Sequence, residues 1–253
     1  MFILLNLDNT FRYFIFIILV TFSSLSCAKV PIDIYVYLDK PPFIVDQANR
    51  IGLSYDFIDY LNDFSTTYSY RLSYLPKKRA LKKLDDNGVL LWIIPSWVND
   101  DNQHKYHWIN GLIIDKNIYL SKDPSLKYED ESSFFGKTIV GVRGYYYPDL
   151  KANFTNNKSL RIDVKNEPLI PLMLLKNRGD VGVLGYQTYY HLAKQHSQIA
   201  TQLFVLNEPQ HKYFRSILFS KSQPDVKQDF ENWFNSTEGK ANWQLLKKKW
   251  LAN

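Results

Sequence analysis

The sequence predicts an α/β fold of two lobes, each a mostly parallel sheet flanked by helices, with a ligand cleft between them. Three observations carry this. Short apolar runs alternate with helix-period segments from Val30 to Pro95, and the same alternation restarts at Lys137. The chain has 253 residues, which after an export segment leaves roughly 225, enough for one large or two small domains.

In the first unit VPIDIYVYL (30–38) alternates as a strand does, and DKPPF breaks it, since two consecutive prolines forbid helix and favour an extended turn. LSYDFIDYLNDF places Leu53, Phe57, Tyr60, Leu61 and Phe64 at helical spacing. YRLSYL is a strand. Pro76 stands where a helix can start, and KKRALKKLDDNG stops at Gly88. VLLWIIP is a short buried strand.

The second unit opens with the strand KTIVGV and the turn RGYYYPDL, from which a helix follows with Pro148 and Asp149 as its first residues. SLRIDV is a strand, EPLIPLMLLKNRG a helix stopped by Gly179, and DVGVLG a buried strand. TYYHLAKQHS reads as helix and ATQLFVL as strand. YFRSILFS is one more strand, and residues 226–251 form one or two amphipathic helices.

Residues 13–22, YFIFIILVTF, follow Arg12 and run into Ser23, Ser24, Ser26, Cys27 and Ala28. A cation, about ten apolar residues and a small-residue exit describe a secretory signal peptide cleaved after Ala28, and the run is short for a spanning helix. The alternative makes Cys27 a lipidated first residue. It is the only cysteine, so a disulfide within the chain and a thiolate metal site are both excluded. The net charge of +6 comes from dispersed basic residues, which with export argues against nucleic acid as a partner. Neither HExxH, Gly-x-Ser-x-Gly nor a phosphate loop occurs, and His104, His107, His191, His196 and His211 have no metal-site spacing. No catalytic set, metal or cofactor is expected.

Ligands of open parallel sheets sit beyond the carboxyl ends of the strands, and clefts between lobes are preferred sites. The turns DKPPF, PSWVND, GVRGYYYP and VLGYQT all follow strands. They nominate Asp39 and Phe43, Ser96 and Trp97, Arg143, Tyr145 and Tyr146, and Tyr186. Arg143 can grip a carboxylate or phosphate bidentately, or be a surface arginine on a loop. The backbone N–H groups of Tyr145 and Tyr146 can hold an anion at a helix end. Phe43, Trp97 and Tyr186 would wall in an apolar, ring-bearing or cationic ligand, or else belong to the core. Lys78 and Arg79 follow Pro76 at the start of a helix, as cleft cations or as solvated charges.

These segments, in this order, resemble the bacterial extracellular solute-binding proteins of family 3, the amino-acid-binding type. The resemblance rests on the PPF turn (41–43), the IGLSYDFIDYLN helix, LPKKRALKKLDDNG, FFGKTIVGVRGYYYP, KNRGDVGVLGY and the closing helices. It implies a type II periplasmic binding fold with both chain ends in lobe one: residues 1–28 as signal peptide, 29–115 and 215–253 as lobe one, and 116–214 as lobe two. The crossovers fall near Ile113 to Lys116 and Tyr213 to Ser216. It implies hinge closure on a small solute in the periplasm, a monomer, and delivery to an inner-membrane ABC permease. A sensor subunit serving a membrane signalling protein, or a dehydratase on the same fold, are the alternatives. The sequence departs from the family's amino-acid clamp: SWVNDDNQHKYHW (96–108) holds no arginine, and Gly185 and Tyr186 stand in the stretch of the ammonium-pairing aspartate. This points away from an ordinary α-amino acid.

Overall fold

The computed structural model describes residues 28–206 and 212–252. The expected signal segment and Cys27 lie outside them. Among the described residues no helix is long and apolar enough to cross a membrane.

The first lobe starts with β1 (Val30–Val36), α1 (Leu53–Phe64), β2 (Tyr68–Tyr74), α2 (Lys77–Lys82) and β3 (Val89–Ile93). β1 pairs in parallel with both β2 and β3, as expected of strands joined by helical crossovers. The peptide between Pro41 and Pro42, just beyond β1, is cis. Every residue of β3 is buried, which is why its sequence runs apolar without alternation. α1 buries Leu53, Phe57, Ile58 and Leu61 on one face. They meet Trp92, Phe230, Trp233 and Trp243 in the core of this lobe.

A 15-residue strand, β4 (His107–Ser121), then runs out of this lobe into the other. The second lobe contains β5 (Thr138–Val142), α3 (Lys151–Thr155), β6 (Leu160–Val164), α4 (Leu169–Leu175), β7 (Val181–Gly185), α5 (Tyr186–Gln195), α6 (Ser197–Gln202) and β8 (Phe204–Val205). β5 pairs in parallel with β6 and β7. β9 (Lys212–Phe219) leads back, followed by α7 (Pro224–Asn235) and α8 (Thr237–Trp250). The strand order is β2-β1-β3-β9-β4-β7-β5-β6, with β8 beside β4. β4 pairs with β9 through Lys116 and with β7 from Asn117, so this antiparallel pair joins the two halves. Ser236 separates the last two helices, and its Oγ accepts the Gly239 N–H at 2.9 Å to cap α8.

Three expectations change in detail. Residues 200–202 of the expected strand ATQLFVL belong to helix α6 (Ser197–Gln202), leaving only Phe204 and Val205 paired as a strand. The buried Ile199 and Leu203 seat this helix on the second lobe's core, and tertiary packing overrides the β-branched pattern. The helices expected to stop at Gly88 and Gly179 end earlier. The left-handed turns belong to Asn87 (φ 64°) and Asn177 (φ 53°), because asparagine's short polar side chain tolerates that region. β4 has no simple period in its sequence because one strand serves two lobes with different buried faces.

Candidate functional site

β1 ends at Val36, and the next four residues carry the chain to the seam between the lobes. Lys40 there is 4% exposed, and its Nζ donates to Glu167 Oε1 at 2.5 Å. Glu167 lies between β6 and α4, in the other lobe, and is 3% exposed. Its second oxygen accepts the Gly185 N–H at 3.0 Å, from the carboxyl end of β7. Three strand ends thus meet in one buried contact. Burial pushes the Lys40 ammonium below its ordinary value, and Glu167 opposes that shift while Arg215 adds to it.

A second ion pair lies beside it on the crossover strands. Arg215 of β9 donates from Nε at 2.9 Å and Nη2 at 2.7 Å to Asp115 Oδ2 of β4, and both side chains are essentially fully buried. Asp115 Oδ1 accepts the N–H groups of Lys116 and Gln187 at 2.9 and 3.3 Å. Arg215 Nη1 donates to the carbonyl of Trp92 at 3.0 Å. Trp92 sits at φ 62°, where the β3–β9 register shifts. That left-handed residue interrupts the ladder, and Arg215 takes up the carbonyl it frees. Burial opposes the Arg215 charge, but Tyr213 and Asp115 outweigh it and raise its pKa.

Aromatic rings enclose the guanidinium: its Cζ is 4.7 Å from the Phe43 centroid, 5.1 Å from Tyr213 and 5.2 Å from Trp97. Tyr37 packs against Trp97 at 6.4 Å between centroids. The Tyr37 hydroxyl is buried without a hydrogen-bond partner among the described residues. Burial drives the hydroxyls of Tyr37, Tyr145 and Tyr213 well above the usual tyrosine value, so all three remain protonated donors near neutral pH. Glu167 contributes to the shift of Tyr145, which places that hydroxyl in the field of the cluster although 37% of the residue is exposed.

Of the residues nominated from the sequence, Phe43 and Trp97 join this cluster through Arg215, and Tyr145 borders it. Asp39 turns outward and accepts from Gln47 Nε2 at 3.1 Å. Lys78, Arg79, Arg143 and Tyr146 are exposed. Tyr186 lies on α5, with Lys116 Nζ 5.2 Å from its ring centroid. Ser96 is exposed and lines an open cavity of about 590 Å³ together with Ile94, Asn110, Tyr213 and Phe214. That cavity abuts the cluster through Tyr213 but contains none of the buried ion pairs, so the charged seam is the candidate site.

Tyr37, Lys40, Asp115, Glu167 and Arg215 escaped the sequence reading. Lys40 sits inside the nominated DKPPF turn, beside the residue chosen. Glu167 follows a strand, SLRIDV, and the rule applied to the other turns reaches it. Asp115 and Arg215 lie within strands, where only the expected crossover pointed to them.

Across the seam, Thr188 Oγ1 donates to the Pro41 carbonyl at 2.8 Å. Gln187 Oε1 accepts the Ala252 N–H at 2.8 Å. Among the described residues no group of three or more His, Cys, Asp or Glu side chains is placed to hold a metal ion. Two buried ion pairs, unpartnered donors and aromatic walls at the junction of two lobes suit recognition of a small polar solute.

No family model matches the sequence, and no curated protein matches it. Solved structures do match in fold. A periplasmic binding protein from Salmonella typhimurium with high arginine specificity is 9% identical, with 88% of this chain and 100% of that chain covered at a TM-score of 0.65. An ancestral amino-acid-binding protein described as a precursor of cyclohexadienyl dehydratase is 14% identical, covering 88% and 95% at 0.65. A putative L-cystine ABC transporter protein from Listeria monocytogenes is 10% identical, covering 88% and 96% at 0.67. The chain therefore has the two-lobed α/β fold of amino-acid-binding periplasmic proteins.

Proposed function

We propose that this chain is an exported solute-binding receptor of the family 3 type, which captures a small polar or aromatic solute by closing two lobes and does no chemistry on it. The buried contact between Lys40 and Glu167 carries the reading. It joins the carboxyl ends of strands from opposite lobes, where closure would desolvate a ligand. Residues 29–115 and 215–253 form one lobe and 116–214 the other in this reading, with β4 and β9 as the hinge. The apolar run at 13–22 directs the chain to the periplasm. The receptor works as a monomer that delivers its solute to an ABC permease, and the fold shared with a protein described as an ABC transporter component supports that role. A sensor subunit would use the same closure.

The test is a screen of metabolite pools by thermal shift and tryptophan fluorescence, with small-angle scattering to detect contraction. A binding solute raises the melting temperature, quenches or shifts fluorescence and reduces the radius of gyration. Absence of any such solute would sink the proposal, and catalytic turnover would put the enzymatic reading in its place. The fold shared with a dehydratase precursor gives the enzymatic reading its one support, and loss of a cyclic carboxylic acid with time would reveal it.

A further inference from the structure

Donors and acceptors at the seam are unequally used. Asp115 has all four acceptor positions filled, and Glu167 is engaged on both oxygens. Glu167 accepts from Lys40 on one oxygen and from the Gly185 N–H on the other. Asp115 accepts two backbone N–H groups on Oδ1 and the Arg215 fork on Oδ2. Asp39, the nominated acid, is turned toward Gln47. A ligand ammonium would bring a third cation beside Lys40 and Arg215, against two carboxylates that already pair with them. The donors are not exhausted. The Tyr37 hydroxyl is buried and has no partner among the described residues. Among the described residues Lys40 uses one of its three N–H groups, and it is 4% exposed. The Tyr145 hydroxyl, on the opposite lobe, has no hydrogen-bond partner among the described residues. Lys77 Nζ lies 6.0 Å from the Tyr37 ring centroid and has no carboxylate partner among the described residues. It supplies a cation for an incoming negative charge.

Resting on the solute-binding reading, we infer that the ligand is a small carboxylic acid without an α-ammonium group, and that Tyr37 and Lys40 hold its carboxylate. Each of these buried donors then gains a charged acceptor, which the described residues do not offer it. Trp97 and Tyr213 beside this point provide aromatic faces for the remainder of the acid.

The test uses three matched pools built on phenyl, indolyl and branched alkyl groups: carboxylates bearing hydrogen, hydroxyl or oxo at the α-carbon, the matching α-amino acids, and the matching amines. Binding is read by thermal shift and then by calorimetry on wild type and Tyr37→Phe. The acids are expected to bind, with the amino acids at least about tenfold weaker and the amines silent. Tyr37→Phe should weaken the acid roughly 10- to 100-fold. Its own melting temperature should hold or rise, since the lost hydroxyl has no partner among the described residues. Equal or tighter binding of amino acids or amines overturns the inference, as does unchanged acid affinity in Tyr37→Phe. If no pool binds but another solute class does in the wider screen, the ligand class is wrong and the receptor reading stands. If nothing binds, both fall.

Discussion

Lys40 and Glu167 stand 127 residues apart in sequence, yet Nζ and Oε1 are 2.5 Å apart and neither side chain is more than 5% exposed. A buried pair of this kind contributes little net stability over an apolar replacement, because desolvating two ions offsets most of their attraction. Removing one partner is different, because it leaves the other buried and uncompensated.

Glu167→Gln and Lys40→Met are each expected to cost about 3–5 kcal/mol in urea denaturation. The double variant should cost clearly less than the sum, by at least about 1 kcal/mol. Additive losses would mean that the two side chains are not coupled in solution and that the lobes do not meet here.

Gly185 borders the same charges. A Cβ added to it would sit 3.1 Å from Lys40 Nζ, 3.4 Å from Glu167 Oε2 and 3.5 Å from Asp115 Oδ2. Its backbone, at φ −69° and ψ 140°, is open to alanine, so only the crowding opposes the methyl. Gly185→Ala should cost about 1–3 kcal/mol, and less in the Lys40→Met background. A loss of the same size in both backgrounds would place the strain elsewhere.

The strand-helix alternation was legible in the sequence because each strand and helix buries one face or is buried whole. Val89 to Ile93 announces itself by an unbroken apolar run. The long crossover strand was not, since Asn110, Gly111, Asp115 and Lys116 dilute its pattern. The site was half legible for a related reason. Rules about strand ends find loops, and so reached Phe43 and Trp97. They do not say which loop residue turns inward, so Asp39 was chosen where Lys40 is buried. Arg215 and Asp115 look like exposed strand charges until their pairing is known. Pairing across 100 residues has no local signature.

Tyr70 gives a pH-dependent prediction. Its hydroxyl donates to Asp229 Oδ2 at 2.5 Å, joining β2 to α7. Burial, then Asp229, raise its pKa above the ordinary 10.0. The unfolded chain therefore loses this proton first, and the folded chain holds one proton more in that window. The contribution of Tyr70 is intact below pH 10 and declines above it, by up to about 1.4 kcal/mol per pH unit. Tyr70→Phe should flatten the alkaline limb of stability against pH by about one proton. Parallel limbs for wild type and variant would show that this hydroxyl ionises as it does in the unfolded chain.

His191 sets the opposite limb. It lies on α5, and its ring stacks on Trp250 of α8 with centroids 6.1 Å apart and planes 16° apart. Its Nε2 is buried without a hydrogen-bond partner among the described residues. Burial first, then the charges of Lys194 and His196, lower its pKa below 6.5. Between the folded value and 6.5 the unfolded chain binds the proton and the folded chain does not, so stability falls as pH falls through that window. Protonation there also works against a contact between the lobes, because the Ala252 N–H reaches Gln187 one turn away on the same helix. The urea midpoint of wild type should drop more between pH 7.5 and 5.5 than that of His191→Gln, whose side chain cannot titrate. Both proteins also share the titration of their carboxylates, which cancels in the difference. A difference that does not change with pH would mean that His191 has the same proton affinity folded and unfolded. Ligand should widen the wild-type drop, since closure favours the same packed arrangement of α5 against α8 and lowers the proton affinity of His191 further.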